Sequence, residues 1–137
     1  MRNIDIYNGI AFAFLDFSCT DSFIAIVSDF ILDIDIVNFA VVYSRRAGGF
    51  KFSVRSEFEE LDAGQIVSEA LKAVGSGGGH SSMAGGYADE SRVLGIGFDY
   101  KQVIQNLFFN VINSVHLRNT ASETSDEERE LNGESND

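Results

Sequence analysis

Residues 75–86, with the sequence GSGGGHSSMAGG, restrict the possible folds of this chain more than any other segment. Glycine loses more backbone freedom on folding than any other residue, so three consecutive glycines before a histidine are costly to order. Such a run suits a backbone that passes close to another group, often a phosphate, to which its N–H groups can point. A flexible glycine–serine linker is the alternative. The segment lies between two regions with clear structural patterns, which favours the ordered interpretation.

Length and charge limit the classes of function. A chain of 137 residues with 45% hydrophobic residues suits one globular domain. The net charge of −11 argues against sequence-independent binding of duplex nucleic acid, because such binding needs a broad basic surface. A small phosphate-bearing ligand held by a local basic cluster remains compatible with this charge.

The two ends of the chain differ from its middle. Residues 121–137 hold seven acids and one base, and the sequence is polar from residue 119, so we expect residues 119–137 to be a disordered acidic tail. Residues 1–7 are predicted to be a linker or N-terminal arm, which leaves 8–118 as the folded domain. The single Cys19, the lack of a signal-peptide pattern and the aspartates that interrupt residues 10–43 predict a cytoplasmic protein with no membrane span.

Hydrophobic patterns predict an α/β fold. Strands are predicted over four ranges, residues 10–17, 35–44, 50–56 and 94–98. Helices are predicted after the N-cap residues Thr20 and Asp62, and over residues 99–115. The expected architecture is a single domain with a mixed β-sheet, helices packed against it and the element order β-α-β-β-α-β-α.

A cluster of basic residues lies in the middle of this acidic chain. Four bases occur within eleven residues, namely Arg45, Arg46, Lys51 and Arg55. Arginine suits bidentate contact with phosphate because its planar guanidinium matches two oxygens. Since side chains alternate in a strand, Arg55 shares a face with Lys51 and Ser53, whereas the intervening apolar residues point the other way. The alternative for Arg55 is an exposed arginine paired with a nearby acid such as Glu57 or Glu59.

The motifs in this region resemble those of the DHHA1 domain. They are Ser53-Val54-Arg55-Ser56, a helix, Gly77-Gly78-Gly79-His80, and then Ala84-Gly85-Gly86. The DHHA1 domain is the C-terminal, substrate-binding part of DHH-family phosphoesterases such as RecJ-like nucleases, oligoribonucleases and nucleotide phosphatases. The resemblance covers roughly residues 8–117, and the pairing of the two motifs is more specific than the glycine run alone.

The resemblance implies a division of labour between two domains. In the family, a DHH domain binds two manganese ions through Asp and His residues and hydrolyses the phosphoester, while DHHA1 holds the nucleotide or short oligonucleotide by its phosphates. Carried over to this chain, the resemblance implies phosphate contacts by Arg55 and His80. The accompanying residues would be Ser53, Ser56 and the backbone of Gly77, Gly78 and Gly79.

One departure from the family is the missing catalytic motif. The chain has no Asp-His-His triplet and only two histidines, His80 and His116. We therefore expect no metal site, no cofactor and no hydrolysis in this chain alone, with manganese held by a separate DHH domain of the same protein. The chain would be a fragment, an excised domain or a non-catalytic relative. Its parent protein would be a manganese-dependent phosphoesterase. A homodimer is compatible with this interpretation.

Three other functions are compatible with the sequence. The first is a stand-alone, non-catalytic module that binds a nucleotide or nucleic acid. The second is a self-contained, metal-independent enzyme with His80 as its base. The alternative for His80 is a loop histidine without a functional role. The third is the related C-terminal domain of alanyl-tRNA synthetases, against which the lack of a large basic surface counts.

Overall fold

The computed structural model describes residues 3–134, with side chains described for residues 3–121. Within this range the chain forms six strands and four helices. The strands are β1 (Ile4–Tyr7), β2 (Ile10–Leu15), β3 (Phe39–Arg46), β4 (Gly49–Ser56), β5 (Gly75–Gly79) and β6 (Met83–Asp89). The helices are α1 (Asp21–Leu32), α2 (Ala63–Leu71), α3 (Glu90–Ile96) and α4 (Tyr100–Glu134).

The strands form one mixed sheet in the order β1-β2-β3-β4-β6-β5. Only β2 and β3 pair in parallel among these strands, and α1 is the crossover helix between them. The other neighbours pair antiparallel. The predicted α/β class, with a mixed sheet and helices packed against it, is confirmed.

The two faces of the sheet carry side chains of different size. One face, which we call the aromatic face, carries the large side chains of the main core and packs against α2 and α4; its members include Phe12, Phe39, Tyr43, Phe50 and Phe52. The other face, which we call the α1 face, carries Ala11, Ala13, Ala40 and Val42 beneath α1. Small residues there let the helix lie close to the sheet, and Ile24 and Ile31 of α1 fill the contact.

The local signals for the first two helices are confirmed. Thr20 Oγ1 accepts a hydrogen bond from the Phe23 N–H at 3.1 Å, and Asp62 Oδ1 accepts one from the Gln65 N–H at 3.0 Å. The Thr20 hydroxyl and the Asp62 carboxylate therefore each satisfy a free N–H in the first turn of a helix. A two-residue turn joins β3 to β4, where Gly48 takes a positive φ of 77°.

Several element boundaries differ from the sequence expectation. The glycine-rich segment supplies β5 and β6, whereas residues 94–98, predicted to be a strand, instead begin within helix α3; that prediction is wrong. Residues 4–7 of the predicted arm pair with β2 as β1. Helix α4 continues to Glu134, through most of the range for which a disordered tail was predicted. Residues 135–137 of that predicted tail lie outside the described residues.

No helix in the described part of the chain combines the length and apolar character needed to cross a bilayer. The cytoplasmic location stays a prediction.

Candidate functional site

On the α1 face, strands β6 and β5 lie open beside β4, whose Ser53 and Arg55 are buried next to α1. Helix α1 contacts β3 and β4, while α2 contacts β5 and β6 from the aromatic face, so none of the described helices lies over β6 and β5 on the α1 face. Cross-strand partners point to the same face, and the register places Ser53 beside Gly85 and Gly85 beside Gly78. We call this surface of β4, β6 and β5 the shelf.

Arg55 and His80 lie at the same level on the shelf. Arg55 pairs with Met83 in the sheet, and the His80 N–H donates to the Met83 carbonyl at 2.8 Å. Adjacent strands are about 4.8 Å apart, so the two Cα atoms are about 10 Å apart across the intervening strand. The two residues for which the motif resemblance implies phosphate contacts thus lie on neighbouring parts of the sheet, with the half-exposed Met83 between them.

The Arg55 guanidinium is buried and fixed in orientation. The residue is 6% exposed, and its Nε donates to Asp29 Oδ1 of α1 at 3.0 Å. Its Nη1 donates to Ser53 Oγ at 3.1 Å and to the Val54 carbonyl at 3.2 Å. The expectation of pairing with Glu57 or Glu59 is wrong, because the acid comes from the helix above the strand rather than from the following loop.

One nitrogen of Arg55 remains available. Its Nη2 makes no hydrogen bond to the described residues, yet no fully buried side-chain nitrogen or oxygen among them lacks a partner. Nη2 therefore keeps contact with solvent. A guanidinium held on two sides and open on the third can bind an anion with little loss of side-chain entropy.

The two serines of the Ser53–Ser56 motif have separate structural roles. Ser53 Oγ lies 2.8 Å from Ser28 Oγ of α1 and also accepts from Arg55, so it positions the arginine. Ser56 pairs with Phe39 and therefore lies on the aromatic face. Its hydroxyl donates to the Phe58 carbonyl at 3.0 Å and accepts from the Phe58 N–H at 3.2 Å. Ser56 is thus separated from the shelf by the sheet itself.

The glycine run is also divided between the two faces. A Cβ on Gly77 would lie 2.3 Å from Val67 Cγ1 of α2, and a Cβ on Gly64 of α2 would lie 2.3 Å from the Gly79 carbonyl oxygen. Gly77 of β5 and Gly64 of α2 therefore allow β5 to pack tightly against α2, whereas a Cβ on Gly79 would lie 2.7 Å from Ala84 Cα and from the Met83 carbonyl oxygen of β6. A Cβ on Gly78 would meet nothing within 4 Å. Of the three glycines, Gly78 is the one whose missing side chain opens the shelf.

The other basic residues of the cluster have different environments. Arg45 lies on the aromatic face, where its guanidinium is about 5.5 Å from the Phe14, Phe50 and Tyr100 rings. A hydrogen bond to Asp16 raises the pKa of Arg45. Arg46 pairs with Asp21 at 2.9 Å, at the opposite end of α1 from Asp29. Lys51 shares the shelf face with Arg55 and lies opposite Tyr87.

Sequence reasoning missed Asp29. This aspartate precedes its partner by 26 positions and belongs to another element, so no local pattern connects the two residues. A weaker signal was available in Ser28, which lies four residues after Ile24 and three before Ile31, on the buried side of α1. Its hydroxyl donates to the Ile24 and Ala25 carbonyls of α1 and also lies 2.8 Å from Ser53 Oγ of the sheet.

The described residues contain no group of three or more His, Cys, Asp or Glu side chains that could hold a metal ion. They therefore do not fit manganese, and the groups on the shelf face include the Arg55 guanidinium, the Lys51 amine, the His80 imidazole and backbone N–H groups. What this surface can do chemically is bind an anion.

The fold and the shelf define a small α/β domain with one half of one sheet face open for contact. The family model of the DHHA1 domain matches residues 8–106. The chain therefore belongs to the DHHA1 domain family, and the resemblance found in its sequence motifs is confirmed. A search of curated protein sequences gives no match.

Solved structures with the same fold include the C-Ala domain of alanyl-tRNA synthetase from Aquifex aeolicus. Its TM-score is 0.58 at 14% identity, with 79% of this chain and 98% of that chain covered. An exopolyphosphatase-related protein from Bacteroides fragilis has a TM-score of 0.54 at 18% identity, with 80% of this chain and 33% of that chain covered. RecJ from Thermus thermophilus, solved with Mn²⁺, has a TM-score of 0.50 at 18% identity, with 75% of this chain and 14% of that chain covered.

At these identities the likeness shows the fold alone. The present chain spans a third or less of the exopolyphosphatase-related protein and of RecJ. The activities of those longer proteins therefore do not transfer directly to this chain.

Proposed function

We propose that this chain is the substrate-recognition domain of a DHH-type phosphoesterase. In this proposal the shelf holds the phosphates of a nucleotide or short oligonucleotide, and a separate DHH domain of the same protein hydrolyses the phosphoester. Membership of the DHHA1 family supports the proposal. The alanyl-tRNA synthetase domain with the same fold supports a second class, a nucleic-acid-binding module without catalysis.

The observation that carries the proposal is the Nη2 of a buried, immobilised Arg55, which has no hydrogen-bond partner among the described residues and lies at the level of His80. An anion between these residues would receive a hydrogen bond from the guanidinium and another from the imidazole. Hydrogen bonds from cationic donors to phosphate are short and roughly twice as strong as neutral ones. The absent side chain at Gly78 leaves room for the sugar or the next phosphate of the ligand.

The catalytic metal is assigned to the DHH domain rather than to this chain. RecJ, which shares the fold, was solved with Mn²⁺. The proposal gives manganese no contact with the described residues, since none of their side-chain clusters suits it. An Asp-His-His segment upstream in the same gene would favour the phosphoesterase over the stand-alone binding module.

Binding of adenosine 3′,5′-bisphosphate to the purified chain tests the shelf. We expect measurable affinity by calorimetry, and a loss of about tenfold or more in His80→Ala, the size of one hydrogen bond to a charged group. Gly78→Val should weaken binding similarly by filling the shelf, while its melting temperature stays unchanged or rises. Both variants alter exposed positions, so folding and binding can be separated.

Two matched controls are available in the chain. His116→Ala removes the other histidine, which is exposed on α4, and Gly95→Ala fills the other glycine position with open space around it. Both should bind the bisphosphate as the unmodified chain does. Binding that is equal in His80→Ala, Gly78→Val and the unmodified chain would remove the shelf from the account.

A further inference from the structure

The protein has a second concave surface on the aromatic side of the sheet. It is a cavity of about 410 Å³ between the β1–β2 turn, the loop after β4 and helix α4. This volume lies in the range of small-molecule sites, roughly 300–1,000 Å³. The shelf lies on the other face of the sheet, so the two surfaces can be occupied independently.

The walls of the cavity are aromatic. Tyr7 and Phe58 line it and are each 45% exposed, and Phe109 of α4 contacts the Tyr7 ring edge-to-face at 5.6 Å. The buried Leu61 and Ile112 form the apolar floor. Exposed aromatic rings around an apolar floor suit a flat, apolar-faced ligand that can stack between them.

The polar groups at the cavity include amides, one carboxylate, the His116 imidazole and the Thr120 hydroxyl. Asn8, Asn113 and Asn119 line it together with Glu60, and none of these four side chains has a hydrogen-bond partner among the described residues. Each amide offers both donors and an acceptor, whereas the carboxylate only accepts. This mixture matches the edge of a planar heterocycle that carries N–H groups and ring acceptors.

Charge disfavours another class of ligand. No lysine or arginine is among the described residues that line this cavity, and at its rim Glu60 is joined by Glu59, Asp62 and Arg118. Three acids and one arginine leave an excess of negative charge there, which opposes the binding of a phosphate. The cavity therefore differs in chemistry from the shelf, where Arg55 provides a positive group.

We propose that this cavity binds an uncharged purine base or nucleoside of the guanine type. The Glu60 carboxylate accepts hydrogen bonds from the adjacent N1–H and N2–H groups of guanine, the asparagine amides contact the remaining ring edge, and Phe58 stacks on its face. The assignment does not depend on the proposed phosphate site. It adds a base-recognition site on the opposite side of the sheet.

Guanosine is the probe for this site, used in an NMR titration of the ¹⁵N-labelled chain. We expect shifts at the amides of Phe58, Asn113 and His116, with none at Gly78 or His80. Adenosine should bind more weakly than guanosine, because it has no N1–H and no N2–H to donate to Glu60. Glu60→Gln should weaken guanosine binding about tenfold, the effect of losing hydrogen bonds to a charged group, and should leave the binding of adenosine unchanged. Guanosine 5′-monophosphate should bind no more tightly than guanosine.

Asn113→Leu should also weaken guanosine binding, whereas Asn110→Leu on the same helix should leave it unchanged, because Asn110 does not line the cavity. Melting temperatures of all variants verify folding. The proposal is overturned by an absence of shifts at millimolar guanosine, by shifts confined to the shelf, or by equal affinities of Glu60→Gln and the unmodified chain.

Discussion

Arg55 is positioned by its own strand and by α1 before any ligand arrives. Ser53 and the Val54 carbonyl hold Nη1, Asp29 holds Nε, and Ser28 links Ser53 to the helix. A buried arginine needs this degree of pairing, since an unpaired charge in the interior is strongly destabilising. The same pairing fixes the direction of Nη2, so in the proposal one side chain provides both structural support and anion binding.

Asp29 opposes ligand binding in this account, although it stabilises Arg55. Its carboxylate is 64% exposed and lies beside the position of the proposed phosphate. Asp29→Asn keeps an acceptor for Nε but removes the negative charge. We expect the affinity for adenosine 3′,5′-bisphosphate to rise by about twofold to fivefold at low salt, since surface charges interact by up to about 1 kcal/mol.

Asp21→Asn, at the other end of α1 and paired with Arg46, is the control and should leave the affinity unchanged. Calorimetry at low and high salt measures both variants. Weaker binding by Asp29→Asn would mean that the carboxylate is needed to present Arg55, and the proposed competition would be wrong.

At the scale of elements, the glycine-rich segment has two roles. It is an ordered edge strand rather than a linker, because β5 pairs with β6 along its full length and packs on α2. Gly77 allows the close approach of the helix, Gly79 lies close to the backbone of β6, and Gly78 faces open space. The close approach predicted for these glycines therefore involves a helix at Gly77, a neighbouring strand at Gly79 and a proposed ligand at Gly78.

Alanine substitutions distinguish these roles through stability. Gly77→Ala places a methyl group against Val67 and should lower the free energy of unfolding by about 1–3 kcal/mol, the usual cost of overpacking. Gly78→Ala should raise it by about 0.4–1 kcal/mol, because the unfolded chain loses freedom at no cost in contacts. Urea unfolding measures both, and equal losses in the two variants would contradict the assignment of faces.

How far the sequence predicts each element depends on how local its signals are. The caps at Thr20 and Asp62 use neighbouring residues, and they were predicted correctly. Residues 75–79 contain four glycines and no β-branched residue, so propensity does not indicate β5. Its strand arises from pairing with β6 and packing on α2, which are tertiary contacts.

The site shows the same limit. Motif resemblance singled out Arg55 and His80, whose ligand contacts stay a prediction, and alternation placed Ser53 with Arg55. The same alternation places Ser56 on the opposite face, and only the motif resemblance grouped it with Arg55. Asp29 depends on where a crossover helix lies over the sheet, and a single sequence does not specify that position.

For the whole molecule, the account assigns binding to this chain and hydrolysis to another domain. The sequence has two histidines and no Asp-His-His triplet, and the described residues include no cluster suited to a metal. We expect the purified chain to release no product from a dinucleotide or a nucleoside bisphosphate, with or without Mn²⁺. Chromatography of the reaction mixtures measures this, and cleavage that depends on Mn²⁺ and resists further purification would contradict the division.

The central claim is that the shelf of β4, β6 and β5 binds phosphate. Its most direct test is an NMR titration of the ¹⁵N-labelled chain with adenosine 3′,5′-bisphosphate, read residue by residue. The account predicts saturable shifts at Gly78, His80 and Met83 and at the Arg55 side-chain Nε–H, all with one dissociation constant. Shifts that are absent at these positions, or that occur only on α2 and α4, would contradict it.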